Sequence, residues 1–287
     1  MITDRKLFLD KPQPDRQSCF ACGEDASTVE HIIPSWLQHR FNLWNQLMVL
    51  PNGTTIPYRQ VTVPACARCN TTCFAPLESR IQSNSASESD IWRWANKIHY
   101  GLMWKDRLLD WDRRRPGPTI GEAFADADPF QRSRRFLECV WGDFKVHPDP
   151  FGSVFIFQFD HAEPFHFCHV PTAGSIGVCL GHLGYVVFIE DGQAVKRSIP
   201  ANAVITSLPK PLCASNMMWF YAQCLEMLER HTLTFPMAMT PTSLVRTGSA
   251  VVREVRPVDK GRFRAICASL GLTWVDTEEG KASDSSS

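Results

Sequence analysis

Apolar residues recur along the chain with two periods, and the change from one to the other marks its organisation. Over residues 27–33, Val29, His31 and Ile33 alternate with Thr28, Glu30 and Ile32, which predicts a strand with Glu30 and His31 on opposite faces unless it bends. Pro34 ends that strand and can open a short helix through Phe41, with Trp36, Leu37 and Phe41 as its apolar side. The β-prone runs 47–50 and 56–63 flank Pro51-Asn52-Gly53, a strong hairpin signal. From Asn70 the period becomes helical, with Phe74, Leu77 and Ile81 as a packing face and Glu78 about two turns beyond Asn70. Strand pair and helix together predict a ββα unit.

The polar stretch 82–90 reads as a hinge, with Asp90 as the cap of a packing helix from Ile91 to about Trp111. Its stripe is Ile91, Trp94, Ala95, Ile98, Leu102 and Leu109, and Pro116-Gly117-Pro118 stops it. A shorter helix is expected over 129–141, with Arg132, Arg134 and Arg135 on its polar face. After Gly152 the runs 154–159, 165–170, 175–180 and 185–192 predict an antiparallel sheet of about four to five strands. Helical spacing returns over 215–231, with Met217, Met218, Tyr221, Cys224, Leu225 and Leu228 as the buried stripe, and a helix-strand pair is expected over 260–275. The fold class is therefore α+β. Residues 1–82 form an N-terminal domain that opens on an extended lead-in, 83–275 a mixed helical and antiparallel-sheet region, and 276–287 a disordered tail.

Composition narrows the function classes. In the 287 residues 44% are hydrophobic, and no apolar run approaches the ~18 residues of a membrane span. The first residues lack the apolar core of a secretory signal, so the expected compartment is a reducing cytoplasm. The 30 basic residues balance 30 acidic ones, which excludes a chain that coats nucleic acid over its whole surface. Local basic clusters at Arg113–Arg115, at Arg132–Arg135 and between Arg246 and Arg264 remain candidate phosphate contacts.

Cysteine spacing points to chemistry. Cys19 and Cys22 form one C-x-x-C, Cys66 and Cys69 a second, the pattern of a tetrahedral structural zinc site. Between the pairs stand Glu30 and His31, and Asn70 follows the last cysteine. His31 has the ordinary pKa of a general base near neutrality, while a Glu30 carboxylate and the Asn70 amide oxygen are hard ligands suited to Mg²⁺ or Mn²⁺. Glu78 is a further candidate ligand. Cys73 is read as a buried thiol and His39 as a surface residue, and His161, His166, Cys168, His169, Cys179 and His182 make a second metal site in the β-rich part conceivable.

These residues resemble the HNH, or His-Me finger, endonucleases with a ββα-metal core, in particular the zinc-knuckle subgroup of the phage endonuclease VII type. The resemblance covers residues 19 to 80. It implies a treble-clef-like fold, structural Zn²⁺ on Cys19, Cys22, Cys66 and Cys69, His31 as general base, and Glu30 and Asn70 on a catalytic Mg²⁺ or Mn²⁺. The implied activity is hydrolysis of DNA phosphodiesters, with RNA left open, and the implied setting is host defence. The chain departs from the subgroup in having Glu30 where Asp stands, a longer spacer from His31 to Cys66, and no third histidine, its place on the helix being taken by Glu78. Residues 83–275 would supply target choice, regulation, or contacts to protein partners or a second copy. The alternative is a catalytically silent zinc-ribbon module that binds nucleic acid or protein.

Overall fold

A computed structural model describes residues 17–115, 117–120, 128–198, 205, 207–249, 251–257 and 259–272. The expected lead-in up to residue 16, the tail and the strand after residue 272 lie outside the described residues. The architecture is mixed α+β, with small sheets among helices.

Strand β1 (Thr28–His31) pairs antiparallel with β4 (Thr62–Ala65), in register from Thr28 opposite Ala65 to His31 opposite Thr62. Between them the chain makes α1 (Ser35–Arg40) and a separate hairpin of β2 (Leu47–Val49) and β3 (Thr55–Pro57). The expected strand 56–63 is thus cut in two. A 3₁₀ turn at Tyr58–Gln60 intervenes, and the second half turns away from β2 to pair with β1. Each cysteine knuckle adjoins an end of the β1–β4 pair. The helix after the second knuckle begins with a wide π turn (Arg68–Phe74) and continues as α2 (Ala75–Gln82), burying Phe74, Leu77 and Ile81 as the spacing predicts.

The helix α3 (Glu88–Asp106) is capped by Ser87 rather than by Asp90. Ser87 Oγ accepts from the Asp90 amide and the Asp90 carboxylate accepts from the Ser87 amide, a reciprocal box that fixes the first turn. Residues 83–87 are no open hinge, because α3 enters the same apolar core as the knuckles: Phe20, Ile32, Leu77, Trp92, Trp94 and Ile98 belong to one buried cluster that reaches Leu244. Helix α4 (Asp128–Leu137) follows, and its arginines do not form a free polar face: Arg132 pairs with Glu190, Arg135 with Glu138, and Arg134 is buried.

The expected sheet of several strands is instead one long hairpin, β6 (Ser153–Val170) against β7 (Ser175–Phe188). The residues read as internal turns, around 160–164 and 181–182, are shifts of register within continuous strands. Gly181, at φ +81°, takes the left-handed conformation that such an irregularity needs. The hairpin separates two apolar layers by simple alternation. Val154, Ile176, Val178 and Val187 face the α3 side, while Phe155, Phe157, Val186 and Phe188 face α6 (Ala214–Arg230), whose stripe matches the expected positions, with Leu228 half-buried. Beyond a short helix α5 (Ala194–Ser198) lie β5 (Lys145–His147), β9 (Met237–Thr240) and β10 (Ser243–Arg246) in one three-stranded sheet, β8 (His231–Thr234) with β11 (Val251–Val255) in another, and α7 (Lys260–Ser269) against α6.

Candidate metal centre and histidine site

The four knuckle sulfurs come together. Cys19, Cys22, Cys66 and Cys69 each offer an Sγ, and these lie within 4.8 Å of one another, with Cys22 and Cys66 at 3.6 Å. A tetrahedral zinc with Zn–S of about 2.3 Å requires sulfurs about 3.8 Å apart, so the cluster could hold a metal such as zinc. Backbone amides turn toward it: the Cys69 N–H donates to Cys66 Sγ at 3.4 Å, and Gly23, at φ +83°, closes the first knuckle with its N–H on the Cys19 carbonyl at 2.9 Å. Charge is crowded here. The bond from Cys69 holds the Cys19 thiol down at about 4, while burial pushes Cys22 up to about 11. A divalent cation relieves that conflict by taking all four as thiolates. Among the described residues this is the one group of three or more His, Cys, Asp or Glu placed to hold a metal ion.

The chemistry-bearing residues around β1 separate according to strand alternation. Glu30 is buried and His31 half-buried on the other side, as the period of two predicts. The Glu30 carboxylate is bonded to Lys97 Nζ, which also takes Glu78 Oε1 at 2.7 Å and the His31 carbonyl at 2.9 Å. The Lys97 side chain is 1% exposed, so this ion group is sealed between β1, α2 and α3. Burial drives the Glu78 pKa upward against the pull of Lys97. Burial also works against the Lys97 ammonium, but the two carboxylates outweigh it and its pKa is raised.

On the opposite face His31 stands beside Trp44, ring centres 5.6 Å apart, and Trp44 stacks on exposed His39 at 4.8 Å. Burial holds the His31 imidazole below its ordinary 6.5, with Lys97 and His39 adding to the effect and Glu30 and a hydrogen bond to the Arg59 backbone opposing it. Arg59 itself donates to the Trp44 carbonyl and to Asn45. Asn70 uses its amide nitrogen as a clasp, donating to Thr28 Oγ1 at 3.1 Å and the Val29 carbonyl at 3.0 Å, which ties the start of the helix to β1. Its Oδ1 remains the atom for any ligand role.

No protein-family model, curated protein or solved structure matches this chain. The structure brings the four cysteines together, joins Asn70 to the strand of His31, and sends Glu30 and Glu78 to a lysine that the sequence reading did not single out. The available signal was a lone Lys97 among Trp94, Ala95, Ile98 and Leu102 on an apolar helix. Trp44, Arg59 and His39, from the segment between β1 and β4, complete the surroundings of His31.

The second metal site that the sequence made conceivable does not form among the described residues. His161 and His182 are exposed, Cys179 is buried, and His166 approaches Cys168 alone at 3.8 Å. His169 instead meets His99 of α3, nitrogen to nitrogen at 2.8 Å, and burial presses both imidazoles below their ordinary range, His169 to about 4. The pair is a neutral cross-link between α3 and β6. No helix among the described residues is long and apolar enough to cross a membrane.

Proposed function

We propose that the knuckle-held β1–β4 pair and the helix that follows are a nuclease unit of the HNH kind, hydrolysing phosphodiester bonds in DNA with His31 as the general base. The observation that carries this reading is the state of His31. It sits at the end of β1 away from the cysteine knuckles, half-buried beside Trp44, and burial holds its imidazole below the ordinary 6.5. Zinc fits the four sulfurs in number, ligand type and spacing, and when bound supplies folding free energy rather than chemistry. A hard divalent ion on Glu30 does not fit, because that carboxylate is enclosed and already bonded to a lysine ammonium.

The steps assigned to this chain are accordingly few. The free nitrogen of His31 accepts a proton from a water, whose oxygen forms the new bond to phosphorus as the bond to the leaving oxygen breaks. That oxygen takes its proton from solvent. Arg59, which donates to the carbonyl of Trp44 beside His31, is the nearby cation able to face the phosphate charge. Asn70 keeps strand and helix in one geometry, so that the imidazole is presented at a fixed height above Trp44.

A second reading is favoured by the same ion group: with Glu30 occupied by Lys97, the unit is a zinc-held binding module without turnover. Nicking of supercoiled plasmid by zinc-loaded protein, with Mg²⁺, with Mn²⁺ and with neither, separates the two. The nuclease reading expects cleavage that falls roughly 10²- to 10⁴-fold in His31→Ala, with zinc content unchanged. Cleavage indifferent to His31→Ala removes the base, and no cleavage of DNA or RNA by folded protein leaves the binding module.

A further inference from the structure

We infer that Lys97 Nζ is the resident cation of the pocket formed by Glu30, Glu78 and the His31 carbonyl, and that this pocket takes no divalent metal in the native chain. An ammonium has three N–H donors, and here each has an oxygen: Glu30 Oε1, Glu78 Oε1 at 2.7 Å and the His31 carbonyl at 2.9 Å. The arrangement copies a hard-ion site in its ligand chemistry, two carboxylates and a carbonyl converging on one positive centre. The cation arrives from α3, outside the knuckle unit. The Phe74 ring lies with its centre 5.7 Å from Nζ and closes another side.

Three properties exclude a metal ion while Lys97 is present. Magnesium demands about six oxygens at about 2.0–2.1 Å and keeps several waters, which needs an open position. The Lys97, Glu30 and Glu78 side chains are only 1%, 7% and 16% exposed, which leaves no room for that water shell. An added divalent ion on Glu30 would also lie against the ammonium, with little solvent to screen the repulsion. Each of the three ammonium N–H donors is already paired, so turning either carboxylate to an incoming ion would leave a buried donor without its partner.

The consequence for the chain is mechanical. Lys97 binds the carbonyl of His31 directly, so α3 sets the height of the strand end that carries the imidazole. Lys97 is a positioning residue, and it makes residues beyond 82 part of the site. The inference concerns ion occupancy and stands apart from the proposed hydrolysis, since binding is read without turnover.

The test uses the zinc-loaded full chain and Mn²⁺ as the probe, followed by the loss of the free-ion electron paramagnetic resonance signal and by thermal unfolding. Wild type is expected to show no Mn²⁺ site that depends on Glu30 and no shift of its unfolding midpoint through that pocket. Lys97→Ala, which removes the ammonium and leaves room, is expected to bind about one Mn²⁺ per chain and to be stabilised by it, as mass action requires. Adding Glu30→Gln and Glu78→Gln is expected to abolish that site. One Mn²⁺ bound by wild type and lost in Glu30→Gln overturns the inference. So does a folded Lys97→Ala protein that binds none. Should Lys97→Ala fail to fold, wild type against Glu30→Gln decides alone, and a Mn²⁺ site that survives Glu30→Gln lies elsewhere and leaves Lys97 in possession of the pocket.

Discussion

Asp106, the last residue of α3, is expected to make the protein less stable as pH rises toward neutrality, and Asp106→Asn to remove that dependence. The residue is 8% exposed and its Oδ1 has no hydrogen-bond partner. Burial raises its pKa from 3.8 to about 7, with Lys105 only partly offsetting the effect. It also stands at the negative end of the α3 dipole, where a carboxylate is unwelcome. The sign follows from proton counting. Between pH 3.8 and about 7 the folded state holds a proton that the unfolded chain has released, so unfolding free energy falls as pH rises. At about 1.4 kcal/mol per pH unit, a difference of roughly three units amounts to about 4 kcal/mol, fully lost above pH 7. Asparagine keeps the shape without the charge, so the variant should gain stability over wild type from about pH 4 upward and hold a constant advantage beyond 7. Urea unfolding of both proteins at intervals from pH 4.5 to 8.5 measures the difference directly. Parallel curves would refute the burial argument. The outcome also bears on function: Lys105, next to Asp106, donates to the Thr62 carbonyl of β4, opposite His31 in the strand pair. A loss of activity at high pH should therefore be compared in Asp106→Asn before it is assigned to the base.

Other expectations are simpler to state. Cys66→Ser, or prolonged treatment with a strong chelator, should lower zinc from about one per chain and unfold the β1–β4 unit, since structural zinc carries on the order of 10 kcal/mol in small peptides; retained near-ultraviolet circular dichroism in metal-free protein would count against it. His169, buried neutral with its pKa pushed to about 4, should cost stability as pH falls from 6.5, because the unfolded chain then binds a proton that the folded one refuses. The loss approaches about 3 kcal/mol at pH 4, opposes the trend of Asp106, and should shrink in His169→Gln to the share that buried His99 contributes, as read by urea unfolding of the paired proteins.

Much of the local structure was legible because it rests on period and on residues with special geometry. The strand over 27–33, the helix faces of Phe74, Leu77 and Ile81, the Asn52-Gly53 turn and the stripe of α6 follow from alternation, helical spacing and turn chemistry, and the structure has them. The two failures of strand reading share a cause. Turn-forming residues mark where a chain is able to bend, and in the β6–β7 hairpin the pressure to bury both faces between α3 and α6 outweighs them, so Asp160, Pro164 and Gly181 become irregularities within long strands. At 56–63 the opposite happened, and a run β-prone throughout was broken because its second half had a better partner in β1. The site was legible only in its covalent spacing. Cysteine pairs announce a cluster because the knuckle is local, whereas the partner of Glu30 lies 67 positions away on another helix and leaves no periodic trace.

The alternation of β1 then decides how the site can work. Adjacent residues on a strand cannot share one cavity, so Glu30 and His31 had to serve different environments once the strand stayed straight. The inner environment already had a cation, because α3 passes beneath β1 and its apolar stripe is interrupted by Lys97. A buried ammonium without partners costs several kcal/mol, and the two carboxylates that compensate it are the two acidic residues the motif offers as ligands. Recruiting either one to a metal would strand the lysine. The outer environment kept what the inner one lacks: a half-buried imidazole open on one side, an aromatic floor in Trp44, and the Arg59 guanidinium nearby. On the proposed nuclease reading the chemistry therefore belongs on the His31 face, with the Glu30 face holding the strand in place.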